Sequence, residues 1–197
     1  FQDLFRPAVR GLYPPGTTAN TVTVAPAVVS LLVAAAVWCC APAQPLLYLL
    51  LPLWMLLRMA LNAVDGMLAR EFGQQSRLGA YLNEVCDVIA DAALYLSLLS
   101  VPGVRPEALW LLAWTAALSE YAGVLGLMVG ASRRYDGPMG KSDRAFLIGV
   151  LGLLLAFGWG GAMTVSGVAA AMAVLCMLTM INRVRHGLKE SAATPRR

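Results

Sequence analysis

Six stretches of this sequence are each long and apolar enough to cross a bilayer. A spanning helix needs about 20 mostly apolar residues, and that length is met or approached at residues 20–40, 46–70, 78–100, 106–130, 145–159 and 162–184. Breakers separate them: Pro42 and Pro45, then Pro102 and Gly103, then the run Gly158-Trp159-Gly160-Gly161. Backbone groups in a lipid core can be satisfied only within helices or closed barrels. The expected fold is therefore all-α and polytopic, with six transmembrane helices. Only 13% of the 197 residues are charged, against about 25% in an ordinary soluble domain. A soluble enzyme, a disordered chain and a disulfide scaffold are all disfavoured. The four cysteines, Cys39, Cys40, Cys86 and Cys176, lie in apolar stretches without metal-knuckle spacing and read as buried thiols.

The placement of charge sets an orientation. Apart from Arg58 and Arg105, every Lys and Arg lies before the first stretch, between the second and third, between the fourth and fifth, or at and after the end of the sixth. The positive-inside rule then puts both termini in the cytoplasm. Residues 1–19 form an N-terminal cytoplasmic or interfacial segment, residues 20–184 the membrane domain, and residues 185–197 a basic cytoplasmic tail. In the first segment Phe1, Leu4, Phe5 and Val9 recur at helical spacing, with Arg6 and Arg10 off that stripe. A short interfacial helix and an unstructured tail are both compatible with this pattern. Residues 1–16 are polar and contain no recognisable signal peptide. The net charge of +4 is too small to imply a nucleic-acid partner.

Ionisable residues inside a span cost about 2.5–3.5 kcal/mol each at the helix centre, so those retained here mark candidate sites. Arg58, Asn62, Asp65 and Ala69 are spaced four, three and four apart and share one face of the second helix. Asn83, Asp87 and Asp91 make a matching stripe on the third, with Glu84 about 100° away from Asn83. Counted from the cytoplasmic ends at about 1.5 Å per residue, Asp65 falls level with Asn83, Asn62 with Asp87, and Arg58 with Asp91. Glu120 on the fourth helix lies near the level of Asp87. The shallow group Asn62, Asp65, Asn83 and Asp87 offers only oxygen ligands, which suit hard cations such as Mg²⁺ or Mn²⁺. The deeper Arg58 and Asp91 read as a buried ion pair, with Asp91 as an alternative member of the ligand cluster.

These helices read Asn62-Ala-Val-Asp65-Gly66-Met-Leu-Ala69-Arg70, eight further residues, then Gly79-Ala-Tyr-Leu-Asn83-Glu-Val-Cys-Asp87. The pattern resembles the CDP-alcohol phosphotransferase (CDP-alcohol phosphatidyltransferase) signature D-x-x-D-G-x-x-A-R, about eight residues, G-x-x-x-D-x-x-x-D. Six of its eight defined positions are identical, and both departures, Asn62 and Asn83, replace Asp by Asn. They resemble a bacterial variant of the family. Asn20 and Thr23 also look like a degraded P-N-x-x-T element of the family. The resemblance implies a six-helix fold and often a homodimer. It also implies transfer of a phosphoalcohol group from a CDP-lipid donor such as CDP-diacylglycerol to an acceptor alcohol, releasing CMP, in phospholipid synthesis. Asp65, with Asn62, Asn83 and Asp87, would hold Mg²⁺ or Mn²⁺, and Asp87 would be the base on the acceptor hydroxyl. Asp65, Gly66, Ala69, Arg70 and Gly79 would border the nucleotide. Glu84, Asp91, Glu120 and Arg58 are accessory candidates, the first three because they could restore a missing carboxylate.

The segment from Ser132 to Arg144 is the most polar in the chain. Arg133, Arg134, Lys141 and Arg144 are candidate acceptor ligands for a phosphorylated or anionic alcohol. Contact with anionic membrane lipids is the alternative reading of the same charges. Gly126 and Gly130 form a G-x-x-x-G, compatible with packing inside one bundle or between two copies. The expected location is a bacterial inner membrane with the active site near its cytoplasmic face. A silent family member that binds a CDP-alcohol or lipid, or scaffolds partners, is the alternative function. A transporter is disfavoured, since no inverted repeat or broken-helix pair stands out.

Overall fold

The computed structural model describes residues 19–71 and 77–193, with side chains at 23–62 and 77–193. Every regular element among the described residues is helical. We number the long helices α1 (Ala19–Cys40), α2 (Leu50–Glu71), α3 (Arg77–Leu96), α4 (Pro106–Leu125), α5 (Lys141–Ala156) and α6 (Ala162–Ala193). Short 3₁₀ turns at Pro45–Leu49, Ser97–Ser100 and Gly126–Val129 lead into α2 and finish α3 and α4. The segment from Phe1 to Arg10, read as an interfacial helix or an unstructured tail, lies outside the described residues.

Local chemistry explains several boundaries. Pro106 opens α4 at a position whose N–H would have no intrahelical partner, and Glu107 sits in its first turn. The Asp143 carboxylate accepts the Gly140 N–H at 2.8 Å and so caps the start of α5. The Gly126–Val129 turn ends at Gly130 with φ +81°, where a side chain would be strained.

The helices associate mainly in pairs, α1 on α3, α2 on α5 and α4 on α6, with α3 against α4 joining them. The inner faces are apolar: Val37, Leu51, Leu94, Leu98, Leu112, Ile148 and Val165 are buried. A polar bond locks α1 to α2, where the Trp54 indole N–H donates to the Ser30 hydroxyl at 2.8 Å. Ser30 in turn donates to the carbonyl of Pro26, a proline inside α1. The outer faces are apolar too, with Leu32, Leu53, Leu56, Trp114 and Met163 all exposed. Water would not tolerate such a continuous apolar exterior, whereas lipid does.

Four segments are long and apolar enough to cross a membrane: Thr23–Cys40, Pro45–Asn62, Pro106–Val129 and Ala162–Ala193. Six spans were expected. α3 falls short because it carries Glu84, Asp87 and Asp91, and α5 because it has 16 residues and begins with Lys141, Asp143 and Arg144. These two helices bring Asp91 and Arg144 into the interior. The last helix also runs beyond residue 184 to Ala193, so most of the basic tail continues it.

Two packing expectations change. Only Cys176 of the four cysteines is buried; Cys86 is half-buried, and Cys39 and Cys40 are exposed at the end of α1. An apolar neighbourhood in sequence does not distinguish a lipid-facing thiol from a core one. Of the G-x-x-x-G pair, Gly126 serves a contact within the chain, since a Cβ there would lie 2.8 Å from the Ser132 carbonyl, as one on Gly123 would lie 2.7 Å from the Arg134 carbonyl, whereas a Cβ on Gly130 would meet nothing within 4 Å. The loop after α4 folds back against that face.

Gly137 fixes this returning loop to α6. Its φ is +131°, and a Cβ there would fall 2.6 Å from the Thr179 side chain. Thr179 also accepts the Met139 N–H at 2.9 Å. Gly137→Ala should cost about 1–3 kcal/mol in backbone strain alone and lower the melting temperature of the purified protein in detergent. An unchanged melting temperature would show that the loop is not anchored here.

Candidate active site

The two polar stripes face each other. Arg58 of α2 is only 4% exposed and reaches two carboxylates of α3. Its Nη1 donates to Asp91, and its Nη2 donates to Asp87 Oδ1 at 3.0 Å and to the Asp87 carbonyl at 3.2 Å. The expected register between the helices is thus met, and Arg58 also holds the proposed base. The other oxygen of Asp87 lies 2.5 Å from the Lys141 ammonium at the start of α5. A small cleft beside this pair is lined by Thr23, Ala27, Arg58, Asn62, Asn83 and Asp87. Three helices, α1, α2 and α3, therefore supply the cleft.

Deeper in the bundle Asp91 receives the Tyr95 hydroxyl at 3.1 Å and Arg144 at 3.5 Å. Arg144, 1% exposed, is fully committed. It donates to Glu120 at 2.8 Å, to the Tyr95 oxygen at 3.2 Å, to the Met139 carbonyl at 3.3 Å and to Ser119 at 3.5 Å. Glu120 also meets Arg183 of α6 at 3.2 Å, and Arg183 donates to the Ser119 and Asp136 carbonyls at 2.5 and 3.4 Å. This interlocked set ties α3, α4, α5 and α6 together around charges that would be untenable alone.

The acceptor candidates are all engaged. Arg133 grips both oxygens of Glu84, stands 3.8 Å from Glu120 and lies 4.9 Å above the Tyr135 ring. Arg134 donates to Asp136 at 2.8 and 3.0 Å and also to Glu190. Those bonds, with His186 at 3.0 Å, pull the Asp136 carboxyl from its usual 3.8 down to about 2. The loop after α4 is thus pinned to α6 at its polar end. Arg183, Tyr95, Ser119 and Asp136 were not recognised from sequence. Arg183 alone had a signal, a cation in an apolar helix with Glu120 otherwise unmatched.

The α2 backbone continues through Asp65, Gly66, Ala69 and Arg70, but their side chains lie outside the described ones. Gly79 is in the first turn of α3. As a cation site, Asn62, Asn83 and Asp87 offer oxygen alone, which fits a hard divalent ion. Two of the three oxygens are neutral carbonyls, and among the described residues no three His, Cys, Asp or Glu side chains gather. A fit therefore needs Asp65, three residues from Asn62 on the same helix.

Residues 16–184 match the family model for CDP-alcohol phosphatidyltransferases. The chain belongs to that family. A curated relative, the inner membrane protein YnbA of Escherichia coli, is 43% identical over 98% of this chain and 94% of its own length. An archaetidylinositol phosphate synthase of Aeropyrum pernix is 33% identical over 65% of this chain and 64% of its own. The fold matches phosphatidylinositol phosphate synthase of Mycobacterium tuberculosis. Its CDP-DAG-bound structure aligns with TM-score 0.73 and 21% identity over 97% and 96% of the two chains. The same enzyme in complex with manganese and citrate aligns with TM-score 0.73 and 22% identity over 97% and 92%. Family membership places the chain among transferases of CDP-alcohol chemistry in phospholipid synthesis.

Burial separates the roles of the two aspartates. Asp91→Asn leaves Arg58 and Arg144 short of a buried partner and should cost about 3–5 kcal/mol of stability. Asp87→Asn acts on a side chain with 25% exposure and should cost about 1–2 kcal/mol. Denaturant titration in detergent measures both. Equal losses would show that Asp87 has the same structural weight as Asp91.

Proposed function

We propose that this chain transfers a phosphatidyl-type group from a CDP-alcohol, such as CDP-diacylglycerol, to the hydroxyl of an acceptor alcohol. The acceptor oxygen forms the new bond to the lipid-bearing phosphorus. The diphosphate P–O bond breaks, CMP leaves with its electron pair, and the acceptor proton passes to Asp87. A general base in reach of the hydroxyl contributes typically about 10²–10⁴-fold. Arg58 and Lys141 act as positioning residues, since each holds one oxygen of Asp87. Asp65, Asn62, Asn83 and Asp87 would hold Mg²⁺ or Mn²⁺. A divalent cation there supplies charge neutralisation on the diphosphate. Gly66, Ala69, Arg70 and Gly79 would border the nucleotide.

The observation that carries this reading is the convergence of Asn62, Asn83 and Asp87, from two separate halves of the signature, on one small cleft. The reading includes six spans with cytoplasmic termini, and a location in an inner membrane, the location that the E. coli relative's name gives for that protein. The nucleotide then arrives from the cytoplasm while the lipid tails stay in the bilayer. A homodimer is part of the same proposal, measurable by light scattering in detergent. The direct test incubates the purified protein with CDP-diacylglycerol, Mg²⁺ or Mn²⁺ and a panel of alcohols. CMP should appear, and Asp87→Ala should reduce it by at least about 10²-fold while the protein stays folded. A well-folded wild type that releases no CMP with any acceptor would overturn the proposal.

A second reading rests on Asn62 and Asn83, which remove two formal negative charges from the cleft. A silent member would bind a CDP-alcohol without turning it over. Calorimetric titration with Mn²⁺ distinguishes the two. An active site should bind Mn²⁺ in the wild type, and Asn62→Asp with Asn83→Asp should tighten binding by about tenfold or more. Mn²⁺ binding by the double variant alone would favour the silent reading.

A further inference from the structure

The loop that should receive the acceptor is rich in cations, yet each of the four candidates is already paired with a carboxylate. Arg144 is buried with its donors committed. Arg134 is held by Asp136 and Glu190 on the α6 side of the loop. Lys141, 31% exposed, is bound to Asp87; a phosphate that reached it would compete with the base for the same charge. Arg133 is 28% exposed, and both of its Nη groups are taken by the two oxygens of Glu84, while its buried Nε has no partner among the described residues. A phosphate placed on Arg133 would have to displace Glu84 and then lie beside two carboxylates, Glu84 and Glu120.

Charge balance argues the same way. Arg58, Arg133, Lys141, Arg144 and Arg183 face Glu84, Asp87, Asp91 and Glu120. Among these described side chains one formal positive charge is left over, and each cation already faces a carboxylate.

We propose that the acceptor is an uncharged polyol, and that Glu84, supported by Glu120, enforces this choice. The inference rests on the transfer reading above and names its second substrate. Ionised carboxylates only accept hydrogen bonds. A polyol supplies hydroxyl donors to them, whereas a phosphate dianion supplies none. The exposed ring of Tyr135, under the Arg133 guanidinium, adds a flat apolar wall of the kind that suits a polyol's C–H face. Glu84 is thus the repulsive element of the site as well as a hydrogen-bond acceptor.

The test compares glycerol and inositol with their monophosphates, using the purified full chain, CDP-diacylglycerol and a divalent cation. Wild type should release CMP with the neutral polyols at least about tenfold faster than with their phosphates. Glu84→Gln frees Arg133 without changing side-chain size and should reduce that preference by about tenfold or reverse it. Independently of turnover, titration with inorganic phosphate should show no saturation for wild type up to about 10 mM. Glu84→Gln should bind phosphate, and adding Arg133→Gln should remove that binding. A wild type that prefers a phosphorylated acceptor, or that binds phosphate as tightly as Glu84→Gln, would overturn the proposal. The wild-type comparison decides even if a variant fails to fold. Absence of CMP with every acceptor would instead count against the transfer reading, and the phosphate titration would still decide whether Glu84 excludes anions.

Discussion

The guanidinium of Arg58 is the interaction on which the rest of the site depends. One group on α2 bridges two carboxylates a turn apart on α3. That bridge fixes the rotation of both helices and their relative depth. It also neutralises charges whose isolated burial would exceed the stability of a small membrane bundle. With α2 and α3 held this way, Asn62, Asn83 and Asp87 have to line the same cleft. The α1 helix, packed on α3, then brings Thr23 to its edge.

From that bridge the polar network spreads in one direction. Asp91 passes from Arg58 to Tyr95 and Arg144; Arg144 passes to Glu120, and Glu120 to Arg183. Every long helix from α2 to α6 contributes a charged side chain to this chain of contacts. The apolar exterior cannot specify how helices pack, because lipid solvates apolar faces as well as neighbouring helices do. The internal ion pairs supply directional constraint in its place. They also explain why α3 and α5 are too polar or too short to read as spans by apolarity alone.

Much of this was legible from spacing. The stripes on α2 and α3, their register and the Arg58–Asp91 pair follow from helical periodicity and rise, because those quantities are properties of one helix at a time. What could not be read was which long side chains meet across helices. Arg133 looked like an acceptor ligand and is held by Glu84, a residue 49 positions away. Arg183 looked like part of the positive-inside pattern and lies against Glu120. Gly126 looked equally suited to a dimer face or to packing within the bundle, and it receives the returning loop. In each case the partner is distant in sequence, and the local pattern is the same for either outcome.

The sequence by itself determined a helical membrane chain, the family signature and the relative levels of the polar residues on α2 and α3. All of these follow from residue type and interval. Only the tertiary structure decided which charges cancel. Pairing depends on the meeting of α3, α4, α5, α6 and the loop between α4 and α5. In a low-dielectric interior an arginine beside a carboxylate and an arginine alone are different chemical objects. That difference separates a cationic pocket for an anion from a neutralised one lined with hydrogen-bond acceptors.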